Sequence, residues 1–316
     1  MKDSLHQELL ANAASMFYEQ DLTQSQIGEK LGLSRVKIYR LLKEAKEKGI
    51  VQIIINWPTR RDSKLEQQLK ETFGLKEALV LMAPKQETAL LSELGQLAAR
   101  YLESILKPNS TLAICLGQTT FEVVNAIRPN YQTHLKVVQA IGSMPGALHR
   151  HDSSALVRQF AEKVGGEALY LSSPPIADSP ASAQIIRNQP DIKLTLEAAK
   201  AAEVALIGIG NLDPRHSIFV RSKVLSKDEL NALAKEGAVG DIAWRIFGSD
   251  GALHPGTFNQ RIIGLSLDDL QHIPLTIAVA GGTEKAKAIL GAINTGAVNV
   301  LCTDDKTAER IIELEE

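Results

Sequence analysis

Four cations and an aromatic fall within nine positions of the chain: Arg35, Lys37, Tyr39, Arg40 and Lys43. An Arg can bond a guanine edge bidentately, and Lys and Tyr can hold bases or phosphates. That chemistry needs the side chains on one presented helix, and the flanking residues predict one. Thr23 stands three residues before Gln26, the spacing of a capping box, so a helix starts there. Gly32 and Leu33 interrupt it, and Ser34 supplies an oxygen for the free N–H groups of the next helix. Two helices joined by a Gly-containing turn are a helix-turn-helix, whose second helix here spans about 34–48. Leu22, Ile27, Leu31, Val36, Leu41 and Leu42 are the expected inward face. Gly49 ends the second helix, and Val51–Asn56 reads as a strand closing the unit as a small wing. The candidate DNA-binding residues are Thr23, Gln24, Ser34, Arg35, Lys37, Tyr39, Arg40 and Lys43.

A second set of residues suits an anionic, hydroxyl-rich small molecule. Gly117-Gln118-Thr119-Thr120 follows a strand and opens a helix, offering N–H and O–H donors. Gly281-Gly282-Thr283-Glu284-Lys285 repeats the arrangement and adds a point charge. Asp241, after Val239-Gly240, is a carboxylate among apolar residues and could accept from sugar hydroxyls. Gly210 and Gly142-Ser143 end two further strands at the same predicted edge. The pair Gly208 and Gly210 lacks the third Gly of a dinucleotide fingerprint, and no P-loop motif occurs. His149, His151 and His254 are read as loop residues, so no metal site and no cofactor is expected.

These loops require alternating strands and helices. Strands are predicted over 78–82, 111–116, 136–141, 167–171, 204–209, 275–280 and 297–302. Helices are predicted over 88–106, 121–127, 153–164, 192–202, 226–235, 284–294 and 305–314. That alternation implies an α/β fold with a largely parallel sheet covered on both faces. A hairpin is expected near 242–253. Ahead of this region, helices are predicted over 5–19 and 63–73, and Pro58 marks a boundary. The expected domains are therefore 1–57 and 58–316.

At 316 residues, 44% hydrophobic and 23% charged, the chain has the composition of a soluble globular protein of two domains. The net charge of −2 excludes a generally basic nucleic-acid coat. Residues 1–62 hold ten Lys/Arg against eight Asp/Glu, so any DNA contact comes from a local patch. Cys115 and Cys302 lie in apolar runs and are expected to be buried thiols of a reducing cytoplasm. No membrane partner is expected, and the location expected is cytoplasmic.

Taken together, the chain resembles the SorC family of bacterial sugar-responsive transcription regulators. The resemblance rests on YEQDLTQSQIGEKLGLSRVKIYRLLKEAKEKGIVQIII at 18–55, LGQTT at 116–120, IGIGNL at 207–212, GAVGDIAWRIF at 237–247, VAGGTEKAKAILGAI at 279–293 and NVLCTDD at 299–305. It implies an N-terminal helix-turn-helix and a larger effector domain similar to sugar-phosphate isomerases and glucosamine-6-phosphate deaminases. It also implies operator double-stranded DNA as partner, a homo-oligomer (dimer or tetramer) and a small phosphorylated sugar as effector. By the same resemblance, Gly117, Gln118, Thr119 and Thr120 form one effector-facing loop. Asp241 and Lys285 are polar anchors, and Gly281 and Gly282 admit the ligand to the backbone. Some relatives capture an aldehyde on a Lys after the central strand; here that stretch is Val138–Ser143, without Lys or Arg. The expected function is a repressor of a carbohydrate catabolic operon, modulated by a phosphosugar. The rival reading is a phosphosugar isomerase or deaminase with a DNA-binding appendage, with Asp241 as base and Lys285 as electrostatic stabiliser.

Overall fold

The computed structural model describes residues 2–51, 60–84, 86–128, 131, 133–144, 146 and 151–315, with the backbone alone for 2–5 and 87. All but Val51 of the strand expected over 51–56, the boundary at Pro58 and His149 lie outside the described residues. The chain divides into two compact units, Met1–Asn56 and Trp57–Glu316.

The first unit holds α1 (Lys2–Tyr18), α2 (Gln24–Leu31) and α3 (Arg35–Glu47). Thr23 caps α2 reciprocally with Gln26, and Ser34 Oγ accepts from Lys37 N–H at 3.2 Å to cap α3. Gly32 carries the left-handed turn between them, at φ 65°. Leu10, Ala13, Ile27, Ile38, Leu41, Leu42 and Ala45 form the core. Val36 does not join it: it is 61% exposed. At 100° per residue, Val36 stands opposite Ile38 and Ala45, so its apolar type misled the inward assignment. Leu10 of α1 is fully buried.

The strands of the second unit are β1 (Glu77–Leu81), β2 (Thr111–Ile114), β3 (Lys136–Gln139), β4 (Glu167–Leu169), β5 (Val204–Gly208), β6 (Gly210–Asn211), β7 (Ala238–Ile242), β8 (Arg245–Gly248), β9 (Leu275–Val279) and β10 (Val300–Asp304). Its helices are α4 (Ser63–Phe73), α5 (Leu90–Ile105), α6 (Gln118–Ala126), α7 (Ser153–Val164), α8 (Pro180–Arg187), α9 (Pro190–Lys200), α10 (Ile218–Arg221), α11 (Lys227–Lys235), α12 (Leu267–His272), α13 (Ala286–Asn294) and α14 (Asp305–Glu315). Seven strands form a parallel sheet in the order β1-β10-β9-β5-β2-β3-β4. Alternate strand residues feed two cores. Leu112, Ile114, Ile277 and Val279 pack with α5, α6 and α7. Ala113, Cys115, Ala205 and Ala278 face the other layer, with α4, α9, α12, α13 and α14. Both cysteines are free and buried, and burial pushes the Cys115 thiol up to about 12.

The last strand runs Val300–Asp304, not 297–302. Its ladder with β9 begins at Val300, opposite Ile277, and it continues through Thr303 and Asp304, which are buried despite being polar. The hairpin expected over 242–253 is formed by β8 and the residues after it: Phe247 bridges Leu253 antiparallel, and Gly248 N–H donates to the Ala252 carbonyl at 2.9 Å. β7–β8 is a further hairpin, whose turn is Ala243-Trp244 at φ 48° and 65°, the positive-φ pair of a two-residue loop without the usual glycine.

β2 and β5 are neighbours at the centre. From β2 the chain proceeds toward β3 on one side; from β5 it proceeds to β9 on the other, after an insertion carrying the β6-β7-β8 sheet. This reversal opens a crevice at the carboxyl ends of the central strands.

Packing against the turn, not helix propensity, dictates Gly28 in α2. A Cβ there would lie 2.5 Å from the Leu33 carbonyl oxygen, the neighbour whose N–H donates to Gly28 O at 2.8 Å. Gly28→Ala, which propensity alone would favour by about 1 kcal/mol, should instead loosen the first unit. Hydrogen-exchange mass spectrometry should show faster exchange over 24–47 and unchanged exchange over 275–304; retained protection over 24–47 would refute this packing constraint.

Candidate functional site

A cavity of about 540 Å³ occupies the crevice. It lies beyond the carboxyl ends of β1, β2, β5, β9 and β10, and β7 with its turn supplies a further wall.

Asp241 is the buried acid of that wall. It sits on β7 opposite Gly210 of β6 and is 5% exposed. Any Cβ at 210 would collide with Asp241 Oδ1, so glycine there makes room for the carboxylate. Burial pushes the Asp241 carboxyl up to about 7; the Trp244 backbone N–H and the charge of Lys285 pull the other way and only partly offset it. The Ala243-Trp244 turn brings that N–H to the carboxylate, so backbone held at positive φ serves the site. Lys285 lines the same cavity and donates from Nζ to the Ile209 carbonyl at 3.2 Å. Burial lowers its pKa, against the opposing pull of Glu284 and Asp241. A ligand carrying hydroxyls and an anionic group would give both groups partners that replace lost water.

Two loops complete the floor. Gly117 precedes α6 with no side-chain cap, so N–H groups at the head of α6 remain available to an anion. Gly117, Gln118 and Thr119 line the cavity. Thr120 does not: it is fully buried and donates back to the Gly117 carbonyl at 2.9 Å, a bond that shapes the loop. On the opposite side, Gly281, Gly282 and Lys285 line the cavity. Gly282 N–H donates to Asp304 Oδ2 and to Thr307 Oγ1, both at 2.9 Å. Asp304 Oδ2 also accepts from Thr307 Oγ1 at 2.6 Å. A Cβ at 281 would come within 2.5 Å of Leu94 and 2.7 Å of Asp304.

Gly142 and Ser143 stand outside the cavity. They follow β3, which lies one strand beyond β2. Ser143 Oγ accepts from Gln139 at 2.8 Å, Gly142 N–H donates to Ile263 at 2.9 Å, and a Cβ at 142 would strike Pro174. The lining also includes polar and aromatic residues that the sequence does not single out, among them Arg215, Ser217, Arg221, Trp244, Asp304 and Lys306. Asp304 and Lys306 were legible only as the polar run after an apolar strand. Arg221 and Lys306 are exposed at the rim, and no ion pair engages either among the described residues. Of the histidines, His254 Nε2 lies 3.3 Å from Glu236, and the carbonyl of His151 accepts from Gly117 N–H at 3.2 Å. Among the described residues no group of three or more potential metal ligands exists.

In the first unit, Arg35, Lys37, Tyr39, Arg40 and Lys43 are exposed. Lys43 lies 3.7 Å from Glu47; Arg35, Lys37 and Arg40 have no ion pair among the described residues. Thr23 and Ser34 commit their hydroxyls to helix caps, and Gln24 is the first residue of α2.

The Sugar-bind domain family model matches residues 58–313. The deoxyribonucleoside regulator of Bacillus subtilis is 32% identical over 311 residues, spanning 98% of this chain and 99% of that protein. The sorbitol operon regulator of Klebsiella pneumoniae is 31% identical over 321 residues, spanning 99% and 100%. The crystal structure of the full-length K. pneumoniae regulator SorC matches with a TM-score of 0.72 at 30% identity, covering 98% of this chain and 99% of that one.

The chain belongs to the SorC family. It is a transcriptional regulator, and its second unit is the family's sugar-binding domain. The crevice described above therefore lies within the domain for which that family model is named. Among the described residues, no helix is long and apolar enough to cross a membrane.

The carboxyl of Asp241 has a consequence for stability. Between the ordinary carboxylate pKa of about 4 and about 7, the folded chain holds a proton that the unfolded chain has lost. Stability therefore falls as pH rises through that window and levels off above it. Asp241→Asn keeps an acceptor for Trp244 N–H but cannot ionise. Its melting temperature should gain on the native protein from pH 5 to pH 7.5; a constant difference across that range would show an ordinary carboxylate.

Proposed function

We propose that this SorC-family regulator is a repressor of a carbohydrate catabolic operon, released from its operator by a phosphorylated sugar. The reading takes residues 1–57 as a helix-turn-helix DNA-binding domain and 58–316 as the effector and oligomerisation domain. α3 enters the major groove, with Arg35 and Arg40 directed to bases and Lys37, Tyr39 and Lys43 to bases or phosphates. Thr23, Gln24 and Ser34, at the heads of α2 and α3, approach the phosphate backbone, where the helix ends suit an anion. A symmetric dimer or tetramer reads half-sites about one helical turn, or a multiple, apart.

The observation that carries the effector reading is the pairing, in one cavity, of a buried acid with a buried amine and an uncapped helix N-terminus. Asp241 accepts from sugar hydroxyls. Lys285 and the N–H groups of Gln118 and Thr119 hold the anion. Gly117 and Gly282 allow close approach of the ligand to the backbone, while Gly210 and Gly281 make room for Asp241 and for Leu94 and Asp304 behind the cavity wall. The cations at the rim, Arg221 and Lys306, which no ion pair engages among the described residues, favour a negatively charged ligand over a neutral sugar. Regulation requires that the ligand bind one DNA-binding state of the protein more tightly than the other.

The enzyme reading has one observation in its favour, an Asp241 pKa near neutrality as a base would need. Purified protein incubated with aldose and ketose phosphates should give no product by NMR; turnover would replace the regulator reading of this cavity. A phosphosugar at 100 times its dissociation constant should stabilise the protein by about 2.7 kcal/mol, and a panel of sugars with and without phosphate tests this by thermal shift. Lys285→Ala should spare DNA affinity and weaken the ligand response at least ten-fold, measured by titrating the sugar phosphate against a bound duplex. A full response in that variant would remove Lys285 from the site. Arg35→Ala and Arg40→Ala should each weaken duplex binding at least ten-fold with unchanged melting; retained affinity in both would overturn the DNA-binding assignment of α3.

A further inference from the structure

Val36 is the residue of α3 whose place in the molecule its type does not explain. It is 61% exposed, the most exposed large apolar side chain among the described residues of the first unit, and Tyr39 follows at 57%. Residues at steps of three and four share a helix face, so Val36, Tyr39, Arg40 and Lys43 form one stripe. That stripe stands opposite Ile38, Leu41, Leu42 and Ala45, which are buried in the three-helix core. Arg35 and Lys37 flank Val36 on either side, and neither they nor Arg40 is held by an acidic side chain among the described residues. An apolar side chain in the first turn of a helix, ringed by cations free to bond elsewhere, suits a partner that is polyanionic outside and apolar at one point. The major groove of DNA is such a surface. Its phosphates line the rims, and the C5 methyl of thymine is the apolar feature displayed on its floor.

We propose that Val36 reads a thymine methyl in each operator half-site and so sets specificity at one base pair, while Arg35, Lys37 and Arg40 supply affinity and register. This rests on the reading that α3 enters the major groove. Val36 is branched at Cβ and therefore stiff at χ1, which holds its methyl groups in a defined place with little ordering cost on binding. Helix packing gives the position no other duty: replacing Val36 leaves the core of the first unit intact.

The test uses the full-length protein and duplexes selected by it from a randomised pool. Each strictly selected thymine is replaced in turn by deoxyuracil, which removes the methyl and leaves the Watson–Crick pair unchanged. For the native protein, one thymine per half-site should show a loss of about four-fold, the effect of unburying one methyl group. Val36→Ala should lower affinity for the thymine duplex by a similar factor and abolish the thymine–deoxyuracil difference at that position alone. 5-Methylcytosine against cytosine at the same position should restore a methyl-dependent difference in the native protein and not in Val36→Ala. The proposal is overturned if no selected thymine shows a methyl effect, or if Val36→Ala keeps the native discrimination. Arg40→Ala separates this failure from failure of the parent reading: if α3 enters the groove, that variant loses affinity for thymine and deoxyuracil duplexes alike. If no duplex is selected, or if Arg40→Ala binds as the native protein does, both readings fall together.

Discussion

The sugar-binding unit depends on keeping one carboxylate out of water. Asp241 is buried in a cavity wall, and its surroundings are arranged around that cost. Gly210 leaves the space its oxygen fills, the Ala243-Trp244 turn delivers one backbone N–H, and Lys285 acts on it as a nearby charge. None of these compensates the carboxylate fully, since burial still outweighs them. A buried polar group left short of partners is a standing cost to the empty protein and a source of affinity once a ligand supplies hydroxyls. The same holds for Lys285, whose Nζ donates to the Ile209 carbonyl alone among the described residues.

The sheet explains why these groups meet. Asp241, Lys285, Gly117 and Gly208 are distant in the chain, and each follows or abuts a different strand. They converge because β2 and β5 are adjacent and the chain departs from them in opposite directions. Small residues on one face of the central strands, Ala113, Ala205 and Ala278, pack in the same core as Ile242, Ala243 and Phe247 of the inserted sheet. The Asp304–Thr307–Gly282 network then fixes the second glycine loop, so the cavity floor is set by hydrogen bonds before any ligand arrives.

Much of this was readable from residues alone. Buried parallel strands appear as apolar runs between helical periods, so the alternation was visible, and Gly117, Asp241 and Lys285 stood out by type and context. Strand order was not readable, and for that reason Gly142 and Ser143 were grouped with a crevice from which β3 is displaced. Thr120 and Thr119 look alike in sequence; only the helix start separates a loop-shaping hydroxyl from a cavity-lining one. Asp304 was hidden because its strand continues past the last apolar residue. Val36 was misplaced because its type suggested the core, whereas helix phase assigns it to the surface. That error of phase matters most for function, since it concerns the residue type displayed beside the cations of α3.

The account's central claim is that occupancy of the cavity and occupancy of DNA are thermodynamically coupled. Coupling is reciprocal, so it can be measured from the ligand's side. We would titrate the phosphosugar that stabilises the protein into free protein and into protein saturated with its selected duplex, by calorimetry. The account predicts a weaker sugar-phosphate affinity on DNA, by the same factor by which the sugar phosphate weakens DNA binding. Equal affinities in the two titrations would contradict it, because a ligand that does not distinguish the two states cannot regulate.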